Sequence, residues 1–447
     1  MSNTLEEQIA TLALKTFNSL PAKCKPRTQE WIPMTAIILQ TSNGELHLAS
    51  LATGSKCIPS TTLPKATGLI LHDCHSEILA LRGLNHFLLQ DAHHILADPD
   101  YTSQYLTYTT IGSGSNHNRG DNTSNTIGCN GDDPDTPPFT LAPSTSIHLF
   151  STEPPCGDAS MEFIISAQQD PTPWSPPPPP LNTHSNKENT TPTPLPGRSY
   201  FSSLSIVRRK PSRPDAPATL SKSCTDKLTL KQFTSVLSSI SSIIIRPNES
   251  AYLKTFTVPF EKYNHEGYTR AFTTTPPNGR LSNLSLFPET VTEEDNHHSY
   301  IFHPLTPTPL PQSFPLTYKY SKPPPQDTTT KASNISALYI NHPKTSPITE
   351  VLISGVKQGN AQLSTARGDK KGSVVCRKRM WLFLRQIVDL LPENHQSTKR
   401  KVGNSSKYLE LKAIDIRNTQ SRINTKNLVT CALSGWERNI GDDNWGI

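Results

Sequence analysis

Apolar and polar positions alternate with two different periods along this chain. "EWIPMTAIILQ" (Glu30–Gln40) and "GELHLASLATG" (Gly44–Gly54) carry β-compatible apolar residues, and the "TSNG" between them supplies a turn, so two paired strands are expected. In "EILALRGLNHFLLQ" (Glu77–Gln90) the apolar residues Ile78, Leu81, Leu84 and Leu88 recur at three- and four-residue steps, which predicts a helix. "SIHLFST" (Ser146–Thr152) reads as a short buried strand. Ser221–Ile245 reads as loop, helix and strand. "AYLKTFTVPF", "ALYINH" and "TEVLISGVKQG" return to sheet-like patterns. Ser373–Leu391 predicts a long helix, and "KYLELKAIDIRNTQSRINTKNLVTCAL" predicts another single one. Strands alternating with helices indicate an α/β architecture.

The periodicity disappears in three places. Residues 112–143 are rich in Ser, Asn, Gly, Asp and Pro; 169–199 contain "WSPPPPP" and "TPTPLPG"; 303–333 are Pro/Thr/Ser-rich apart from a brief "FPLTYKY". These are expected to be disordered insertions looping out of one domain spanning 1–447, at little thermodynamic cost. They hold 22 of the chain's 41 prolines and help to keep its hydrophobic share at only 34%.

Charge is unevenly spread. The formal net charge is +6, yet Lys357–Arg438 alone holds 17 Lys/Arg against 6 Asp/Glu. Such a concentration implies an anionic partner or a solvated face. No segment approaches the roughly 20 apolar residues of a membrane span, and the N-terminus lacks a basic, then apolar, leader. A soluble, intracellular protein is expected, in the nucleus or the cytoplasm, with no membrane association and no evident obligate protein partner. Eight irregularly spaced cysteines suit thiols or metal ligands better than a disulfide framework.

Three short stretches concentrate chemistry: "DCHSE" (Asp73–Glu77), "EPPCGDAS" (Glu153–Ser160) and "SCTDK" (Ser223–Lys227). Catalytic zinc takes three protein ligands and keeps one position open for water. Nucleic-acid deaminases use H-x-E with P-C-x-x-C, the Glu moving protons without binding metal. His75-x-Glu77 and Pro155-Cys156 fit, but Ala159 stands where the second Cys would be. Cys224, in a polar loop before a helix, is the candidate third ligand. Asp73 reads as a helix N-cap, and Cys57 and Cys74 read as packed thiols. A cytidine deaminase is compatible with H-x-E, but the missing P-C-x-x-C and the basic C-terminal third argue against it.

Taken in order, these stretches resemble the tRNA-specific adenosine deaminase 1 family, the transfer-RNA branch of the adenosine-to-inosine deaminases acting on RNA. "LATGSKCIP", "GVKQG", "CRKRMW" and "GWERNIGDD" extend the likeness from about residue 20 to the C-terminus. The resemblance implies a cytidine-deaminase-like three-layer α/β/α fold with a central mixed sheet and a C-terminal helical, basic region. It implies zinc on His75, Cys156 and Cys224, and proton transfer by Glu77. It implies a buried inositol hexakisphosphate, for which Arg82, Asp158, Lys227, Lys371, Tyr408, Lys412, Arg422 and Trp436 are the candidate ligands. The implied substrate is tRNA, at the adenosine next to the anticodon of tRNA-Ala. Candidate RNA contacts are Ser55, Lys56, Arg208, Arg209, Lys210 and Arg213. The chain departs from the family at Ser76, Leu81 and Leu230. The first family-like strand begins near residue 30, leaving no room upstream for a double-stranded RNA-binding domain, which disfavours a messenger-RNA editor. A catalytically inactive RNA-binding relative is the remaining alternative.

Overall fold

A computed structural model describes residues 3–108, 135–167, 195–196, 203–210, 217–274, 279–284, 300–324, 329–359 and 368–447. Its centre is an eight-stranded mixed sheet. In chain order the strands are β1 (Met34–Gln40), β2 (Leu46–Thr53), β3 (Ser146–Ser151), β4 (Leu253–Val258), β5 (Pro307–Pro309), β6 (Ile335–Ile340), β7 (Ile348–Ile353) and β8 (Val356–Lys357). Across the sheet they run β5-β4-β3-β1-β2-β6-β7-β8. β3, β4 and β5 are mutually parallel; the other pairs are antiparallel.

Side-chain alternation on β1 explains the layering. Met34, Ala36 and Ile38 face one core with Ile9, Leu14 and Phe17 of helix α1 (Leu5–Ser19). Ile37 and Leu39 face the other, with Leu79, Leu84 and Phe87 of α2 (Ser76–Ala97). Successive strand residues point to opposite faces, so one strand serves both cores. α1 starts at a capping box in which Thr4 and Glu7 satisfy each other's free amides. Helices α3 (Met161–Ile165), α4 (Cys224–Thr234), α5 (His265–Phe272), α6 (Arg377–Leu390), α7 (Gln396–Asn404), α8 (Tyr408–Lys412) and α9 (Arg417–Ala432) complete the described set. α6 packs against α2, and α9 against α4.

Three expectations change. The terminal helix is broken: α8 ends at Lys412, and Ala413–Ile416 turns before α9 begins. Burial of both Ile414 and Ile416 in the core forces that turn. Within 303–333, expected to loop out, part of the described chain is packed. β5 extends the sheet, Leu310 and Tyr318 are buried, and Tyr318 donates to the Ile32 carbonyl at 2.7 Å. Proline is tolerated in β5 because an edge strand can leave its missing donor unused. The end of the 112–143 stretch is also ordered: Phe139–Leu141 pairs with Leu106–Tyr108 and Ile245–Arg246. Of 169–199 only Leu195–Pro196 is among the described residues, paired with Arg208–Arg209. No helix among the described residues is long and apolar enough to cross a membrane.

Candidate active site

Three chain segments converge at the N-terminal ends of α2 and α4. His75 is the N-cap of α2, and Cys224 is the first residue of α4 behind the N-cap Ser223. Cys156 comes from the loop after β3, just before the turn Asp158–Ser160. Gly157 allows the approach: its φ is +113°, and a Cβ there would lie 2.2 Å from Ser223 Oγ. The Thr225 amide then donates to the Cys156 carbonyl at 3.0 Å, tying the two segments together.

The result is a donor triangle. His75 Nδ1 lies 3.7 Å from Cys156 Sγ and 3.5 Å from Cys224 Sγ. Tetrahedral zinc with ordinary Zn–N and Zn–S bonds would hold these atoms about 3.6 Å apart. His75, Cys156 and Cys224 are therefore spaced as a group that could hold one metal ion. Glu77 follows on the first turn of α2, buried beside them. Burial, and then the Cys156 sulfur, push its carboxyl above the ordinary range.

The surrounding charges are paired. Asp73 is not the N-cap; it accepts the His75 amide on Oδ1 at 2.9 Å and the Cys57 thiol at 3.3 Å. Its Oδ2 accepts from Lys210 Nζ at 2.7 Å, Ser221 Oγ at 3.1 Å and Lys227 Nζ. Burial opposes ionisation of Asp73, but Lys210 and Lys227 hold its carboxyl well below the usual range. Lys210 Nζ also donates to Cys224 Sγ at 3.2 Å. Burial opposes its charge too, and Asp73 and the two cysteines prevail, raising it well above an ordinary lysine. Cys156 is held well below the usual thiol range: it accepts from Cys224, and Lys210 and His75 face it. Cys57, expected to be a packed thiol, is half-buried in this network, whereas Cys74 is buried in the core.

A second group of charged side chains lies behind the triangle, where α2, α4, α6, α8 and α9 meet. Lys231 donates to the Leu237 carbonyl at 2.6 Å and Arg422 to the same oxygen at 3.3 Å. The charges acting most strongly on Lys231 are all positive (Arg422, Lys426 and Arg82), and with burial they drive it well below an ordinary lysine. Lys426 is pushed down to about 8 by burial, then by Arg422 and Lys412. Lys412 Nζ sits 5.5 Å and the Arg377 guanidinium 5.9 Å from the Tyr408 ring. Nε of both Arg82 and Arg422 is buried without a hydrogen-bond partner. Asp442 offsets part of this charge, accepting from Arg377 at 2.7 Å and binding His72 at 2.6 Å. An uncompensated buried charge is costly, and unpartnered guanidinium nitrogens fit a polyanion. The residues present therefore suit a polyphosphate.

The expected residues divide accordingly. Arg82, Lys412, Arg422 and Tyr408 come together in this cluster. Lys227 joins it to the metal triangle through Asp73. Trp436 stands at its edge, 5.7 Å from Lys222 Nζ. Asp158 is elsewhere: it accepts from the Ser205 amide at 2.8 Å and from Arg270 Nε at 3.1 Å. Lys371 is buried at the end of the turn Gly368–Lys371, and Arg377, further along the chain, lies over the Tyr408 ring. The RNA set needs the larger correction. Arg208 and Lys210 are interior residues, each under 5% exposed, on a segment whose backbone pairs with Ser221 and Ser223 just before α4. Arg209 pairs with Glu437 at 2.6 Å. Arg213 lies outside the described residues. Ser55 and Lys56 do flank the site, on the loop that receives the Cys74 amide. Leu81 is buried, and Leu230 packs beside Phe233 and Val429.

Sequence reasoning missed Lys231, Arg377 and Lys426, and misassigned Asp73 and Lys210. One signal was available. Lys227/Lys231 and Arg422/Lys426 are like charges four residues apart on helices, a spacing that is unfavourable without a shared anionic partner.

The family model described as adenosine-deaminase (editase) domain matches residues 50–439. The tRNA-specific adenosine deaminase 1 of Schizosaccharomyces pombe is 31% identical over 442 residues, covering 97% of this chain and 95% of that protein. The protein of the same name from Saccharomyces cerevisiae is 29% identical over 289 residues, covering 61% and 64%. The double-stranded RNA-specific adenosine deaminase of Mus musculus is 26% identical over 160 residues, 36% of this chain and 11% of that protein. The chain belongs to the adenosine-deaminase (editase) domain family.

Proposed function

We propose that this protein is a zinc-dependent tRNA adenosine deaminase that converts the adenosine next to the anticodon of tRNA-Ala to inosine. The observation that carries the reading is the His75, Cys156 and Cys224 triangle, spaced 3.5 to 3.7 Å from the histidine nitrogen, with Glu77 buried beside it. The near full-length likeness to a tRNA-specific deaminase supports tRNA as the substrate.

His75, Cys156 and Cys224 would hold the zinc, which supplies a Lewis acid that makes water nucleophilic near neutral pH. The chain's own contribution is proton handling and orientation. Water adds at C6 of the flipped adenine, the C6–N6 bond breaks, and ammonia leaves, so one water enters and one ammonia departs. Glu77 accepts one proton from the water and passes it to ring N1, then takes the second from the new C6 hydroxyl and delivers it to the departing amine. Its raised carboxyl suits a group that must both take and give a proton. Asp73 fixes the His75 backbone, and Lys210 donates to the Cys224 sulfur.

Inositol hexakisphosphate is our assignment for the basic cluster, held by Arg82, Lys227, Lys231, Arg377, Tyr408, Lys412, Arg422, Lys426 and Trp436. The depression of both Lys231 and Lys426 by burial and by neighbouring cations supports it. Ser55 and Lys56 would meet the RNA backbone beside the flipped base.

The test is inosine formation on a panel of tRNAs and a double-stranded RNA, read by sequencing, with zinc and phosphorus measured in the same preparation. One zinc per chain, several phosphorus atoms per chain and inosine in tRNA-Ala are expected. Glu77→Gln should lower turnover by at least ~10²-fold, the lower end for a general acid–base residue, and keep its zinc. Full activity in that variant removes Glu77 from the mechanism. Inosine only in the duplex moves the protein to another branch of the family.

A further inference from the structure

Ser76 is the first residue of α2, between His75 and Glu77, and it is fully buried. Its hydroxyl lies 3.2 Å from Glu77 Oε2 and 2.8 Å from Thr35 Oγ1. Thr35 is a buried residue of β1, 3.2 Å from Ser151 Oγ on β3. The directions of these bonds follow from the carboxylate. An ionised carboxylate can only accept, so Ser76 donates to Glu77. Ser76 has one proton, so at Thr35 it accepts. Ser151 can donate to Thr35 or to the Glu153 carbonyl at 2.9 Å. The chain of hydroxyls thus ends inside the protein. It transmits orientation and offers no proton path to solvent.

We infer that Ser76 is a positioning residue for Glu77, and that Thr35 fixes Ser76 in turn. Ser76 holds Oε2 and leaves Oε1 to face the reacting water and the purine. The same carboxylate has to address the water, the ring nitrogen and the departing amine in sequence, so a loose rotor would lower the fraction of productive geometries. Donors in series also strengthen one another in a buried site. Because Glu77 meets only the reacting atoms, the contribution belongs to the transition state and not to RNA docking. The inference rests on the assignment of Glu77 made above.

The experiment compares zinc-loaded full-length protein with Ser76→Ala, Thr35→Val, the double variant and Glu77→Gln. Two anticodon stem-loops are used. One carries the target adenosine. The other carries purine ribonucleoside there, which lacks the amine and adds water at C6 to mimic the adduct. Ser76→Ala should bind the adenosine RNA as the parent does, bind the purine RNA about tenfold more weakly, and lose about tenfold in kcat at unchanged KM. Zinc content and Tm should stay at parent values. Thr35→Val should lose about threefold in kcat, and nothing further once Ser76 is Ala. Parent-like kcat and analogue binding in Ser76→Ala overturn the proposal. So does loss of zinc or Tm in step with activity, which would make Ser76 part of the scaffold. Thr35 is on β1 and is neither a proposed ligand nor a chain neighbour of one, so parent-like kcat in Thr35→Val overturns the relay even if Ser76→Ala folds poorly. Parent-like turnover in Glu77→Gln would instead sink the Glu77 assignment, whereas an inactive Glu77→Gln beside a fully active Ser76→Ala sinks only the role of Ser76.

Discussion

The metal triangle and the basic cluster adjoin each other through Lys227, yet they are balanced in opposite ways. Around the triangle each charge has a partner within the chain: Asp73 accepts from both Lys210 and Lys227, and Lys210 also donates to Cys224. In the cluster, Arg422, Lys426 and Arg82 act on Lys231, Arg422 and Lys412 act on Lys426, and Arg377 acts on Arg82. The first arrangement is self-sufficient electrostatically. The second keeps an excess of positive charge that Asp442 offsets only in part. A single fold can therefore carry one site that tolerates no loss of a partner and another whose like charges are a cost until an anion arrives.

Lys210→Met is the severest way to test the balanced region. It leaves buried Asp73 with one lysine and Cys224 with no ammonium donor. Losing one partner of a buried pair costs about 3 kcal/mol or more. Urea unfolding should show a destabilisation of that order, and zinc content should fall. A change within error would mean that Lys227 alone balances Asp73.

Arg422→Met tests the unbalanced region, and its sign should depend on the anion. With inositol hexakisphosphate present, the variant should be less stable by roughly 1–2 kcal/mol, the worth of a lost charge-assisted hydrogen bond. After the anion is stripped, the same variant should equal or exceed the parent, because a repelling charge is gone. Destabilisation of equal size in both states would make Arg422 an ordinary packing residue.

The smallest effect is one of pH. Lys426 titrates at about 8 in the folded protein, below its unfolded value, and Lys231 is depressed in the same direction. In the window between those values the unfolded chain binds more protons than the folded one, so stability rises with pH. Anion-free protein should therefore gain stability from pH 8 to 10, measured as the urea midpoint. Bound anion should flatten that slope. A falling midpoint over this window would contradict the depressed lysines.

Legibility followed the same division. His75, Glu77, Cys156 and Cys224 sit in short polar motifs at the starts of helices, where local sequence alone restricts the backbone. The period-two and period-3.6 patterns likewise gave β1, β2 and α2. Lys210 misled because nothing local tells a buried lysine from a solvent-facing one in "VRRKPSRPDAP"; its position depends on Asp73, 137 residues earlier. Asp73 misled because an Asp before a helix is normally a cap, and here two lysines outcompete that role. The 303–333 stretch misled because its order depends on pairing with β4 and on the pocket for Tyr318, neither visible in a Pro/Thr-rich composition.

The sequence by itself determined the α/β class, the His75, Cys156 and Cys224 set that could hold a metal, the carboxylate Glu77 beside it and an excess of positive charge in the last third. Those properties reside in side-chain chemistry and local periodicity. Only the tertiary structure decided which cations share one interior, which carboxylate neutralises which lysine, and that Ser76 turns its hydroxyl to Glu77. Such pairings depend on distances between segments far apart in the chain, and packing fixes those distances only once the two cores have closed on the sheet.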